Sequence, residues 1–92
     1  MKFADLEFSD NPRVGGKRTT AIFPNGYGAS IVTGGSYSFT DTRHPYEVAV
    51  FDADSGELVY DTPITNDVLP RQTKGDVSRL LAEIEALPRK GE

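Results

Sequence analysis

The sequence contains no cysteine and no tryptophan, and it has one histidine and one methionine. The lack of cysteine excludes disulfide bonds and thiolate metal sites, and it fits a reducing compartment such as the cytoplasm. Long apolar runs are also missing, since none approaches the roughly 20 residues that a membrane-spanning helix needs. Met1 and Lys2 lead into mixed residues and not into the apolar core of a signal peptide. We therefore expect a soluble cytoplasmic protein with no membrane partner.

Length and charge set the next limits. A chain of 92 residues is expected to form a single domain over residues 1–92, and a hydrophobic content of 37% indicates a modest core. The net charge of −4 is unevenly distributed, because residues 47–67 carry six acidic side chains and no basic one. Such a block is either the solvated edge of a hairpin or an acidic surface that suits a basic partner.

The stretch from Tyr46 to Tyr60 predicts two β-strands joined by a tight turn. Valines at alternate positions give the period of two that is typical of a strand, and Asp54-Ser55-Gly56 is a turn signal. With those three residues as the loop, Asp52 faces Leu58. A four-residue loop would place Asp52 opposite Glu57, where like charges repel, so the three-residue loop is predicted. The apolar face of this hairpin then consists of Val48, Val50, Leu58 and Tyr60.

A second hairpin is predicted between residues 17 and 33. Asn25-Gly26 is the strongest short signal for a two-residue hairpin loop, because a type I′ turn needs positive φ at both central residues. This loop places Phe23 opposite Gly28, where the ring has room to lie across the neighbouring backbone. One face of the hairpin then carries Thr20, Ile22, Ala29 and Ile31, and the other carries Ala21, Phe23, Ser30 and Val32.

A helix is predicted over residues 74–87. Thr73 and Asp76 match the start of a capping box, in which each side chain accepts a hydrogen bond from the other residue's backbone. Pro88 ends the helix, because proline cannot continue it. Apolar residues follow the helical spacing in one stripe, at Val77, Leu80, Leu81, Ile84 and Leu87.

These signals together predict an α+β domain. The expected architecture is an antiparallel sheet of four to five strands, connected as hairpins or a meander, with the C-terminal helix packed on one face. Residues 62–71 contain two prolines and are expected to be irregular. The strands are predicted at about residues 3–8, 18–24, 28–33, 36–40, 46–53 and 57–61.

One helix covers only part of such a sheet, so one face is expected to keep uncovered apolar surface. Either a partner covers this surface, including a second copy in a homodimer, or the loops 9–17 and 34–45 fold over it. Its apolar residues are expected among Phe23, Val32, Ala49, Phe51 and Val59.

Residues that carry catalysis or bind cofactors are scarce. His44 lies in a polar loop, so neither a catalytic triad nor a histidine-based zinc site is expected. The segment from Asp52 to Gly56 departs from a calcium loop, because its glycine is fifth and not sixth. The glycines of the two hairpin regions lie between predicted strands and do not open a helix, as a phosphate loop does. We therefore expect no enzyme, no cofactor and no metal, and the few basic residues are a weak nucleic-acid signal.

Five segments have a phrasing typical of one group of proteins: M-K-F-A-D-L-E-F, F-P-N-G-Y-G-A-S-I-V, Y-E-V-A-V-F, Y-D-T-P-I-T-N-D-V-L and D-V-S-R-L-L-A-E-I-E-A-L. Through them, most of the chain resembles small, functionally unassigned proteins encoded in bacteriophage and prophage genomes. The resemblance implies a viral accessory protein in the cytoplasm of the bacterial host, and it brings no catalytic residues. Phage proteins of this size and acidity often inhibit host machinery, so the resemblance suggests by analogy an anti-CRISPR or other anti-defence inhibitor.

The leading hypothesis is a non-enzymatic protein that binds and inhibits a host or phage protein. Its target would be a nucleic-acid-handling or defence complex. The carboxylates of this protein would then occupy the sites at which the target binds phosphates. Direct nucleic-acid binding by this protein is not expected. The alternative is a small structural or assembly protein that acts through self-association. The candidate contacts are the acidic residues Asp52, Asp54, Glu57 and Asp61 and the aromatic residues Tyr27 and Tyr37.

Overall fold

A computed structural model describes residues 1–12, 15–34, 43–59, 62–64 and 68–89. It contains a five-stranded antiparallel sheet with one helix packed against it, so the predicted α+β class is confirmed. The strands follow one another across the sheet in chain order, as in a meander. The elements are a 3-10 helix at Phe3–Asp5, β1 at Ser9–Asp10, β2 at Lys17–Ile22, β3 at Tyr27–Thr33, β4 at Tyr46–Asp52, β5 at Leu69–Gln72 and α1 at Lys74–Glu85.

Helix α1 begins as the sequence predicts. The hydroxyl of Thr73 accepts a hydrogen bond from the backbone N–H of Asp76 (3.1 Å), and the Asp76 carboxylate accepts one from the backbone N–H of Thr73 (2.9 Å). These bonds satisfy donors that the first turn of a helix leaves without a partner. The apolar stripe is confirmed as well, since Val77, Leu80, Leu81 and Ile84 are buried and Leu87 packs against them.

The core lies between α1 and one face of the sheet, which we call the core face. The opposite face, which no helix among the described residues covers, is called the open face. Burying one large aliphatic side chain stabilises a fold by roughly 1.5–3 kcal/mol, so the core face provides most of the sheet's contribution to stability. Its buried residues are Ala21, Phe23, Ala29, Ile31, Val48 and Val50, each at most 4% exposed.

The pairing of β2 with β3 differs from the prediction by one residue. Ala21 pairs with Ala29, and Ile22 pairs with Gly28. Because side chains alternate along a strand, a shift of one residue exchanges the two faces of β2. Ala21 and Phe23 are therefore buried in the core, and Ile22, which was predicted to share a face with Ala29, is 58% exposed on the open face.

Pro24 explains the shift. In a two-residue loop the residue at position 24 would donate a backbone hydrogen bond across the hairpin, and proline has no N–H. Phe23 takes this place instead, donating its N–H to the carbonyl of Tyr27 (2.9 Å). The loop therefore has three residues and ends at Gly26, which adopts a left-handed conformation with φ of 91°.

Asn25, at the tip of this loop, joins the sheet to the end of α1. Its Nδ2 donates to the carbonyl oxygens of Ile84 (2.8 Å) and Leu87 (3.1 Å), and its Oδ1 accepts from the N–H of Tyr27 (3.2 Å). The last carbonyls of a helix have no partner within the helix, so this side chain caps α1 through a tertiary contact. The sequence predicted Asn25 as a turn residue alone.

The turn after β4 has the four-residue loop that the sequence argued against. The N–H of Asp52 donates to the carbonyl of Glu57 (2.8 Å), and Phe51 forms a bridge with Leu58. The predicted pairing of Asp52 with Leu58 is therefore wrong, and Leu58 lies on the open face and not with the core valines. Within the described residues, the strand predicted at 57–61 is reduced to this bridge.

The predicted repulsion between Asp52 and Glu57 does not prevent this loop, because the Asp52 side chain folds into the turn. Its Oδ1 accepts hydrogen bonds from the N–H groups of Asp54 (2.8 Å) and Ser55 (3.3 Å). Aspartate commonly organises a turn in this way. Gly56 completes the loop with a φ of 77°.

Strand β5 falls in the stretch that was expected to be irregular. It is the edge strand beside β4, a position that tolerates Pro70 because one side of an edge strand needs no partner. It carries one extra residue relative to β4, and Arg71 adopts a φ of 59° at this bulge.

The segment before β1 is not the strand predicted at residues 3–8. The Asp5 carboxylate accepts a hydrogen bond from the N–H of Lys2 (2.8 Å), which closes a 3-10 turn, and the sheet begins at Ser9. The strand predicted at 36–40 and most of the loop 34–45 lie outside the described residues. Aromatic packing fixes the N-terminal segment, through rings with centroids 5.0–5.9 Å apart in Phe3, Phe8 and Tyr46.

Replacing Asn25 with alanine should lower the free energy of unfolding by about 1–3 kcal/mol, because the carbonyls at the end of α1 lose their donor. Asn25→Asp keeps the acceptor for Tyr27 but places a negative charge beside the helix C-terminus, so it should destabilise as well. Urea denaturation followed by circular dichroism measures both variants. Wild-type stability in both would contradict the capping role.

The capping box should make stability depend on pH. The backbone N–H of Thr73, and then its hydroxyl, hold the pKa of Asp76 below its ordinary value of 3.8. A lowered folded-state pKa gives a stabilisation that is complete above the ordinary value and is lost as pH falls through the lowered one. Asp76→Asn, which does not titrate, should therefore lose less stability than wild type on acidification from about pH 5 to about pH 2. Identical profiles for wild type and Asp76→Asn would refute the assignment.

Candidate functional site

The open face carries two of the three large apolar side chains that are exposed among the described residues. These are Ile22, which is 58% exposed, and Leu58, which is 43% exposed. Cross-strand pairing places them at the two ends of one row, with Gly28 and Phe51 between them. We call these four residues the apolar row.

The ring of Phe51 occupies the space that a side chain at Gly28 would take. A Cβ at position 28 would lie well inside contact distance of three carbons of the ring. Glycine in a strand often marks such a close approach by a neighbouring group. The ring can therefore lie across β3, which gives the open face a flat apolar surface.

A hollow of about 260 Å³ lies beside the apolar row. Its walls combine the ring of Phe51 and the side chain of Leu58 with the hydroxyls of Thr20 and Ser30, and Gly56 lies at one end. Small-molecule sites usually measure roughly 300–1,000 Å³, so this hollow has the size for a partner's side chain and not for a cofactor.

The acidic turn between β4 and Leu58 borders this hollow. Asp54 and Glu57 are exposed on either side of Gly56 in the chain, and Gly56 lines the hollow. The turn is anchored to the β2–β3 loop, because the N–H of Ala53 donates to the carbonyl of Gly26 (3.0 Å). Carboxylates at the edge of an apolar hollow suit a long cationic side chain, whose stem packs on apolar surface while its charged end remains near water.

The structure brings together part of the predicted contact set. Asp54 and Glu57 are exposed in the turn that contains Gly56, whereas the carboxylate of Asp52 holds the turn. Tyr27 is half-buried against the core, so it is not the exposed aromatic contact that was predicted. The two remaining candidates, Asp61 and Tyr37, lie outside the described residues.

The sequence predicted some of the apolar residues of the open face and missed others. Phe23 and Val59, which were expected among the uncovered residues, pack in or against the core. Ile22 and Leu58 were missed because both hairpin registers were shifted by one residue. The missing N–H of Pro24 was the signal that could have found the position of Ile22. The residues predicted correctly on the open face, all half-buried, are Val32, Ala49 and Phe51.

Candidate metal ligands in the described part of the chain are histidine, aspartate and glutamate side chains. In the ranges that the structure describes, no three histidine, aspartate or glutamate side chains come together as a metal site requires. His44 is half-buried near the start of α1, where its charge contributes to lowering the pKa of Asp76. Across the same ranges, no helix combines the length and the apolar character that crossing a membrane requires.

No protein-family model, curated protein or solved structure matches the chain.

Replacing Gly28 with alanine should displace Phe51 and destabilise the protein by about 1–3 kcal/mol, as overpacking does elsewhere. Gly75→Ala is the matched control, because the nearest atom to a Cβ there is Thr73 Oγ1 at 3.8 Å and alanine favours the helix. Urea denaturation should therefore show a loss for Gly28→Ala and none for Gly75→Ala. Equal stability of the two variants would show that Phe51 does not pack on Gly28.

Proposed function

We propose that the protein is a non-enzymatic binding protein that uses its open face and acidic turn to occupy a basic surface of a partner protein. The observation that carries the proposal is the exposed apolar row and its hollow, next to a turn in which Asp54 and Glu57 are exposed. An apolar centre with a polar or charged rim is the usual anatomy of a protein–protein interface.

The apolar row would supply most of the binding energy. Ile22 and Leu58 are exposed, and Phe51 is half-buried between them, so a partner that covers the row removes three large side chains from water. Aromatic and aliphatic anchors near the centre of an interface usually dominate its affinity.

The acidic turn would supply selectivity for a basic partner. The chain has a net charge of −4, and six acidic residues without a basic one occupy residues 47–67. Exposed charges of this kind speed association with an oppositely charged surface and are screened by salt over about 10 Å at 0.1 M. They also disfavour direct binding to nucleic acid, whose phosphates carry the same sign.

The proposed setting is a bacteriophage accessory protein in the cytoplasm of its bacterial host. Its target is a nucleic-acid-handling or defence complex, and its effect is inhibition, because a bound acidic surface competes with nucleic acid for the same basic residues. An inhibitor of CRISPR defence is one member of this class. The support is the resemblance of the sequence segments to phage-encoded proteins, together with the acidic turn.

Self-association is the second candidate function, and the apolar row is the observation that favours it. Two copies that face each other through Ile22, Phe51 and Leu58 would bury the same side chains without any foreign partner. The product would be a homodimer or a small assembly component. Its stability would be insensitive to salt, since the apolar contacts carry it.

A tagged pull-down from bacterial lysate at low and high salt, with mass spectrometry of the bound proteins, tests the proposal. We expect a stoichiometric nucleic-acid-handling or defence protein that is lost at high salt. Once the partner is purified, Glu57→Lys should weaken its binding roughly tenfold at low salt and little at high salt. Leu58→Ser should weaken binding at both.

Glu83→Lys is the matched control, because it makes the same charge change at an exposed residue of α1, which packs on the core face of the sheet. It should bind nearly as wild type does. Equal losses for Glu57→Lys and Glu83→Lys would show that overall charge, and not the acidic turn, governs binding. Recovery of the protein's own second copy alone would favour the assembly function.

A further inference from the structure

The two edges of the sheet differ in a way that singles out β2. At the β5 edge, Pro70 and the bulge with Arg71 interrupt the row of backbone groups. Proteins use such devices to stop other chains from pairing with an exposed edge. At the other edge, β1 pairs with Lys17 and Arg18 alone, and the rest of β2 has neither a proline nor a bulge.

The uncovered part of β2 directs backbone groups outward. Phe23 donates its N–H toward β3, so residues of the same parity in β2 also face β3. The N–H and C=O groups of Thr20 and Ile22 alternate with these and face away from the sheet. Among the described residues, no strand pairs with that side of either residue.

A cleft of about 640 Å³ lies beside the outward groups of Thr20, and its lining extends to Ser30 on the open face, while the edge at Ile22 lies beyond it. Its inner wall is formed by β2 around Thr20, and its outer wall by the N-terminal segment, including Leu6 and Glu7, which leaves the sheet just before β1. The uncovered edge from Thr19 to Ile22 is about 13 Å long at 3.3 Å per residue, which matches four residues of extended chain. The cleft continues the line of β1 along the edge.

The charges of the cleft favour a cationic occupant. The outer wall carries the exposed carboxylates of Asp5 and Glu7 and also Met1, whose N-terminal ammonium is paired with Glu85, whereas Arg18 is the basic side chain on the inner wall. The outer wall also favours a single extended segment as the occupant over the sheet of a second copy of the protein. A second copy would have to bring its own N-terminal segment, with the same two carboxylates, into a space that is already closed on its outer side.

We propose that β2 accepts an extended, lysine- or arginine-containing segment of a partner protein, which enters this cleft and adds a strand to the sheet. Thr20 and Ile22 bond its backbone, and Asp5 and Glu7 attract its basic side chains. Strand addition of this kind takes affinity from main-chain hydrogen bonds and selectivity from alternate side chains. The inference rests on the proposed function in that both require a protein partner. The cleft adjoins the hollow at Thr20 and Ser30, but it does not include the acidic turn.

Amide hydrogen exchange by NMR tests the edge. In the free protein, the amides of Thr20 and Ile22 should exchange rapidly, while those of Thr19 and Ala21, bonded to β3, should exchange slowly. A yeast-displayed library of random ten-residue peptides then supplies the probe. Selected peptides should carry lysine or arginine at alternate positions and should slow exchange at Thr20 and Ile22.

Thr20→Pro removes one outward N–H without touching the bonds to β3, so it should weaken the selected peptide about tenfold or more. Glu57→Lys should leave that affinity unchanged, since it alters the acidic turn and not the cleft. If Thr20→Pro fails to fold, two N-methylated versions of the selected peptide are tested with the wild-type protein. One carries N-methyl groups at its odd residues and the other at its even residues, and only one of the two should lose binding.

Three results would overturn the proposal. The first is a library that returns no binder, and the second is binders that shift the NMR signals of Leu58 and Phe51 but not those of Thr20. The third is slow amide exchange at Thr20 in the free protein at high concentration, which would show that a second copy pairs with the edge. If Glu57→Lys no longer binds the purified partner but still binds the selected peptide, the acidic turn and the cleft act as separate binding sites.

Discussion

The fold depends on the register between β2 and β3, and Pro24 sets that register. Because proline has no N–H, the hairpin closes at Phe23 and includes one more loop residue than Asn25-Gly26 alone would require. That single residue decides that Ala21 and Phe23 enter the core and that Ile22 faces outward. A shift by one residue exchanges every side chain of the strand. The side chains that β2 contributes to each sheet face therefore follow from one missing hydrogen-bond donor.

Local signals predicted the helix and the central strand, because the capping box of Thr73 and the alternation of Val48 and Val50 act over a few residues. The registers were not predicted, since each depends on what one side chain does in three dimensions. Asp52 was treated as a charge facing Glu57, but it hydrogen-bonds its own turn. Strand β5 was hidden by Pro70, because the sequence does not state which strand lies at an edge.

The candidate site follows the same division. Asp54 and Glu57 were predicted because exposed charge is visible in the sequence. Ile22 and Leu58 were not, because their exposure follows from the two registers. The resulting surface combines features of separate origin: an aromatic ring placed over a glycine, a turn with two exposed carboxylates, and an edge that β1 leaves uncovered. Together they present apolar contacts, charge and backbone hydrogen-bonding groups on one side of a small sheet.

Asn25 has a consequence beyond the stability of α1. Its side chain holds the helix end, and the neighbouring Gly26 carbonyl holds Ala53 in the acidic turn. The acidic turn, whose Gly56 lines the hollow, is thus tied through two hydrogen bonds to α1. A loop anchored in this way is already ordered before a partner arrives. Binding therefore costs little conformational entropy in this loop, and the affinity is not reduced by that cost. The amide of a single loop residue therefore keeps the binding surface in its final shape before binding begins.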